Sequence, residues 1–238
     1  MYSVVARDAE SVIEVKRSRF LCIVRRVESE AEARSVVEEQ RKAHWDAGHH
    51  CSAFTVGPPP MPLERSSDDG EPAGTAGGPM LEALHVADVN DVVAVVSRWF
   101  GGIKLGTGGL ARAYGDAVRS ALGNAGNMHR ELLQEQLVEL DHVDAGRVEA
   151  DLRSRGFAVL DTSYEPTGVA LRLGVPTADS AAFKGALAAL TAGRVQSRSD
   201  GERWVDQYPP VQPGCNPTFS KVSNARVRRC SGVCSGLR

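Results

Sequence analysis

Arg98-Trp99-Phe100-Gly101-Gly102-Ile103-Lys104-Leu105-Gly106-Thr107-Gly108-Gly109-Leu110-Ala111-Arg112-Ala113-Tyr114 is the stretch on which the reading of this chain turns. Before it, Val92 to Val96 is an unbroken apolar run that predicts a fully buried strand. After it, Leu110, Ala113, Tyr114, Ala117, Val118, Ala121 and Leu122 fall at three-four spacing and predict a strongly amphipathic helix. Five glycines therefore lie between a buried strand and a helix start. The first turn of a helix has N–H groups without intrahelical partners and the positive end of the dipole. Glycines let an anion reach that backbone. Lys104 and Arg112 add positive charge. The spacing is neither the phosphate-loop signature nor the dinucleotide fingerprint, and a tight turn with glycines only for packing is the competing reading.

Outward from this junction, Asp68-Asp69-Gly70-Glu71-Pro72-Ala73-Gly74-Thr75-Ala76-Gly77 places three carboxylates in four positions. Such density calls for a divalent cation, a basic side chain from the glycine-rich junction, or solvent. The candidate binding set is Arg98, Gly101, Gly102, Lys104, Gly106, Gly108, Gly109, Arg112 and Tyr114, with Thr75 from the facing loop. Asp68, Asp69, Glu71 and His49 are the candidates for acid–base or magnesium chemistry if there is catalysis. His49-His50-Cys51 opens a strand, so His49 and Cys51 share a face and His50 takes the other. That spacing favours a core cysteine and a hydrogen-bonded histidine over a nucleophile pair.

Further out, Val12 to Val15 and Phe20 to Val24 flank the basic group Lys16, Arg17 and Arg19, which reads as a strand pair or one bent strand. Ser29 and Glu32 have capping-box spacing and predict a helix to about Ala43. Cys51 to Val56 is strand-like, Gly57 to Gly74 reads as loop, and a short helix is expected after Pro79. From Leu132 the pattern is strand to Leu140, helix with Asp144 as cap and Gly156 as stop, two alternating strands, helix 179–192, and a strand from about Val195. That βαββαβ order is the split βαβ arrangement of a ferredoxin-like domain. The expected division is 1–126, 130–206, and a disordered basic tail at 207–238.

Composition narrows the function classes. The net charge is −3 over 1–126, −4 over 127–206 and +5 over 207–238, so neither folded part is basic overall and a nucleic-acid site would have to be a local patch. No signal peptide or apolar run of membrane length is present in the sequence, which predicts a cytoplasmic protein with no membrane partner. Cys22, Cys51, Cys215, Cys230 and Cys234 are an odd number at irregular spacing, unlike a disulfide framework or a zinc knuckle.

Taken together, the acidic loop and the junction closely resemble the signature of the YigZ/IMPACT family over about residues 15 to 122, with Trp99 where the family usually has tyrosine. The resemblance implies an α+β protein: an N-terminal ribosomal-protein-S5-domain-2-like α/β sandwich followed by a ferredoxin-like domain similar to those of the translocation elongation factor. It also implies a tie to translation, which eukaryotic relatives regulate. The leading expectation is a non-catalytic translation-associated regulator without a cofactor. Its partner would be RNA, the ribosome or a translation-related protein, with Lys104, Arg98 and Arg112 on phosphates. Alternatives are a nucleotide- or phosphate-binding enzyme using the 68–71 loop with magnesium, and a protein-interaction module without nucleic acid.

Overall fold

The computed structural model describes residues 1–207, which form a mixed α+β architecture with two five-stranded sheets and five α-helices. The first sheet runs in the order β2 (Ala9–Val15), β3 (Ser18–Arg26), β6 (Val92–Trp99), β4 (His49–Val56), β5 (Leu63–Ser67), with every neighbouring pair antiparallel. Its central strands are apolar on both faces because both are covered. Phe20, Cys22, Val24, Ala94 and Val96 pack toward α2 (Gly77–Val86) and α3 (Thr107–Ala125), while Ile23, Phe54, Val93 and Val95 pack toward α1 (Glu30–Ala43). Each Val, Ile or Phe among them taken out of water contributes about 1.5–3 kcal/mol.

The expected capping box at the start of α1 is present in a shifted form. Ser29 Oγ accepts from the Glu32 amide at 3.2 Å, and Glu32 reaches back to the Glu28 amide at 2.8 Å. The basic group between the two N-terminal apolar stretches forms a tight turn, so the strand-pair alternative holds. Val15 pairs with Ser18, leaving Lys16 and Arg17 as a two-residue loop with φ of 48° and 66°. Left-handed backbone at a residue with a side chain costs about 1–3 kcal/mol.

One expectation fails in this half. Residues 57–74 are not all loop, because Leu63–Ser67 pairs with β4 from Val56↔Leu63 to Ser52↔Ser67. β5 is an edge strand with Leu63 as its one apolar residue and Arg65, Ser66 and Ser67 exposed, so backbone pairing forms it without an alternating pattern.

The second sheet is built on β7 (Asn127–Leu140), a strand of 14 residues. With β8 (Ala158–Glu165), β9 (Gly168–Val175) and β10 (Arg198–Gln207), the order is β10-β7-β9-β8. One face carries α4 (His142–Ser154) and α5 (Ser180–Thr191) through Val148, Leu152, Phe183 and Leu187. β7 starts five residues before the expected Leu132, because its first four residues pair with β1 (Tyr2–Val5), from Tyr2↔Arg130 to Val5↔Asn127. The chain's opening residues thus join the second sheet, although the sequence groups them with 1–126. Asp141, not Asp144, is the N-cap residue of α4, and Asp144 instead pairs with Arg147 and Arg194 at 3.0 Å each. Gly156, at φ 90°, stops that helix as expected. The tail expectation falls outside the described residues except for Gln207, which ends β10; Cys215, Cys230 and Cys234 lie outside them too.

A polar cluster ties the two sheets together. Asp91 accepts from Tyr2 Oη at 2.6 Å, from Arg130 at 2.7 Å and from the Gly57 amide at 2.8 Å, while Arg26 makes a bidentate pair with Asp206 at 2.7 and 2.8 Å. Burial and the bond to Asp91 push the Tyr2 hydroxyl up to about 12. No helix among the described residues is long and apolar enough to cross a membrane.

Candidate functional site

Helices α2 and α3 end against the start of the chain, where the Asn90 amide, just past α2, donates to Ser3 and the Ala6 amide donates to Gly126, each at 2.9 Å. Their first turns therefore lie together at the opposite end of the sheet, beside the acidic loop, the end of β6 and the Lys16–Arg17 turn.

At α2 an anion is already in place. Asp68 Oδ1 accepts from the amides of Ala76 (2.9 Å) and Gly77 (2.8 Å), and Oδ2 accepts from Gly74 (2.8 Å). Burial opposes this charge, but the three amide bonds outweigh it and hold the carboxyl below the usual carboxylate range. Asp69, at φ 43°, accepts from the His50 amide at 2.6 Å and pairs with Arg41 at 2.5 Å. Thr75 Oγ1 donates to the Pro72 carbonyl at 2.6 Å and is buried, so its hydroxyl shapes the loop.

Glu71 is buried and accepts from Arg98 Nη1 at 2.5 Å and from Tyr114 Oη at 2.8 Å. Arg98 also reaches Ser18 Oγ at 3.4 Å, and its guanidinium lies over the rings of Phe20 (5.5 Å) and Phe100 (5.7 Å). Its Nε has no hydrogen-bond partner among the described residues. His49 Nδ1 meets the Asp69 carbonyl at 2.8 Å and its Nε2 stands 4.0 Å from Glu71. Cys51 Sγ donates to the Asp68 carbonyl at 3.0 Å, and burial pushes its thiol up to about 12, so it is protonated at neutral pH. Burial raises the Tyr114 hydroxyl as well.

The acidic loop is thus compensated from within: Asp68 by backbone amides, Asp69 by Arg41, Glu71 by Arg98 and Tyr114. Among the described residues no group of three or more His, Cys, Asp and Glu side chains is placed to hold a metal ion. Arg98 and Tyr114, expected on a ligand, are enclosed and support the loop from below, with Tyr114 at 0% exposure.

The glycines of the junction divide by role. A Cβ on Gly101 would stand 2.0 Å from the Arg17 carbonyl carbon, so this glycine allows the loop to lie on the hairpin turn. Gly102 and Gly106 have φ of 87° and 73°, and a Cβ on Gly109 would meet Leu105 at 3.2 Å. Gly108 has neither positive φ nor any atom within 4 Å of a Cβ position. It occupies the exposed first turn of α3, whose N-cap Gly106 offers no side chain to the amides of Thr107, Gly108 and Gly109. Lys104 is exposed beside it, and Arg112 is exposed one turn further on the same face.

Residues 16–122 match the model of the Impact N-terminal domain, and residues 138–194 match a domain of unknown function, DUF1949. Over 193 residues the chain is 38% identical to IMPACT family member YvyE of Bacillus subtilis, covering 81% of this chain and 88% of that protein. The chain belongs to the IMPACT family. IMPACT family member YigZ of Escherichia coli is likewise 38% identical over 186 residues, covering 78% of this chain and 91% of its own length. A solved structure described as a hypothetical protein is 36% identical, with a TM-score of 0.55 over 82% of this chain and 95% of that one. Both blocks that carried the resemblance lie inside the Impact N-terminal match and meet at one end of the first sheet of this IMPACT protein. Sequence reasoning missed Ser18, Arg41 and the Asp68 bonds to α2. No spacing rule signals them, because they come from other strands and helices.

Proposed function

We propose that this protein is a translation-associated regulator that binds RNA, the ribosome or a translation factor through the glycine-rich end of its first unit. The observation that carries this reading is the contrast between two helix starts. Asp68 fills the amides of α2, while no side chain caps those of α3, where Thr107, Gly108, Lys104 and Arg112 are exposed. A phosphate or carboxylate arriving at α3 would take the place that Asp68 takes at α2. Membership of the IMPACT family supports the link to translation, which the family resemblance implies through its eukaryotic relatives. We also read the first unit as ribosomal-protein-S5-domain-2-like, and the second as ferredoxin-like on its strand order and two crossover helices.

On a unit of net charge −3 this binding is weak and salt-sensitive. Filter binding to RNA and to ribosomes tests it with Lys104→Ala and Arg112→Ala. Each substitution is expected to weaken binding and lower the salt slope by about one; unchanged affinity through a salt titration removes this end of the molecule as the binding surface. The enzyme reading needs Asp69 or Glu71 as acid, base or magnesium ligand. Because both carry cationic partners, the regulator is preferred. Calorimetry with nucleotide and magnesium separates the two.

A further inference from the structure

Lys16 and Arg17 close the β2–β3 hairpin with both residues at positive φ, where Asn-Gly or a glycine pair is the favoured choice. Both are exposed, and among the described residues neither side chain reaches a carboxylate, whereas Arg26, Arg41, Arg98 and Arg130 are all paired. A strained basic dipeptide thus stands where a neutral one would fold more easily. The turn is held in place, since Gly101 lies against the Arg17 backbone and its amide donates to Ser18 Oγ at 3.2 Å. Arg19 pairs with Trp99 in the β3–β6 register, so the chain passes through Phe100 beside the turn before Gly101 meets the Arg17 backbone. Phe100 is 59% exposed while its ring sits 5.7 Å from the Arg98 guanidinium, which Glu71 holds. Two acids stand nearby without pairing to Lys16 or Arg17. Arg19 lies over the Trp99 ring at 4.8 Å although Glu14 faces it across the strand pair, and Asp46 accepts from Trp99 Nε1 at 2.9 Å.

We propose that the Lys16–Arg17 turn and the Phe100 ring form a binding surface for single-stranded RNA. The two cations meet successive phosphates, and the fixed aromatic face receives an unstacked base. An acidic protein segment would use the cations but gain little from an open aromatic plane beside them. This inference rests on the reading that this end of the first unit receives a polyanion, and it adds a surface separate from the start of α3.

The test is fluorescence anisotropy of a labelled oligouridine with the full chain, using three variants. Lys16→Asn combined with Arg17→Gly installs the favoured turn. It is expected to raise Tm by about 2–4 °C for each strain removed while weakening RNA binding and lowering the salt slope by about two. Phe100→Ala, at an exposed side chain, is expected to weaken binding about tenfold or more by loss of stacking. Lys104→Ala with Arg112→Ala reports on the α3 start alone. If the turn variant and Phe100→Ala bind like the parent while the Lys104 and Arg112 variant does not, this surface is wrong and the α3 site stands. Loss in only the first two variants supports this surface and removes the α3 site. If Phe100→Ala is silent and polyglutamate of equal charge displaces the RNA, the occupant is an acidic protein segment and the proposal is overturned.

Discussion

Glu71, Arg98 and Tyr114 act as one unit because each satisfies a group that the others leave buried. Removing one member leaves a charge without its partner, which is costlier than replacing the whole set. Arg98→Met is therefore expected to lower stability by about 3–5 kcal/mol, and Tyr114→Phe by about 1.5–3 kcal/mol because one hydrogen bond to a charged acceptor is lost. Urea denaturation reads both. His50 gives a separate pH signature. Burial lowers its pKa, and its Nδ1 lies 2.9 Å from Ser97 Oγ. The unfolded state therefore binds more protons than the folded one between the depressed pKa and the ordinary value near ~6.5. Stability is fully present above that ordinary value and falls as pH drops through the window. His50→Gln is expected to flatten this dependence in denaturation curves measured from pH 8 to pH 5.

At the scale of the element, the glycines of the junction give opposite predictions. Gly101→Ala drives a methyl group into the Arg17 backbone at 2.0 Å, and the loop has to move or the hairpin has to open. Gly108→Ala meets nothing and replaces a helix-weakening residue, so it is expected to gain about 0.5–1 kcal/mol. Thermal unfolding of the two variants should shift in opposite directions. Leu110 to Leu122 announce α3 through their spacing, and Ser29 with Glu32 announces α1, because those signals are local. β5 and β1 are held by backbone pairing to distant strands and show no alternation of their own. The acidic loop was legible as a cluster, and a basic side chain from the glycine-rich stretch was one expected partner, as Arg98 is for Glu71, but Arg41 from α1 and the amides at the start of α2 carry no such signal. The identity of the cluster was in the sequence, and its inward orientation was not.

Across the whole molecule, the two sheets are joined without a linker. β1 pairs with the first four residues of β7, and Tyr2, Asp91, Arg130 and Asp206 gather charges from both halves at the seam. Deleting residues 1–5 strips one edge of β7 and removes a hydroxyl partner of Asp91. Hydrogen exchange over residues 127–130 is expected to quicken while the β8–β9 pair keeps its protection. A strand of 14 residues at about 3.3 Å each extends some ~46 Å, and α3 runs into it through the single residue Gly126. β7 is therefore a single rod paired with β1, β9 and β10. A kink introduced midway along that rod would disturb its pairing with β9 and β10 and, through Arg130, the anchorage at Asp91.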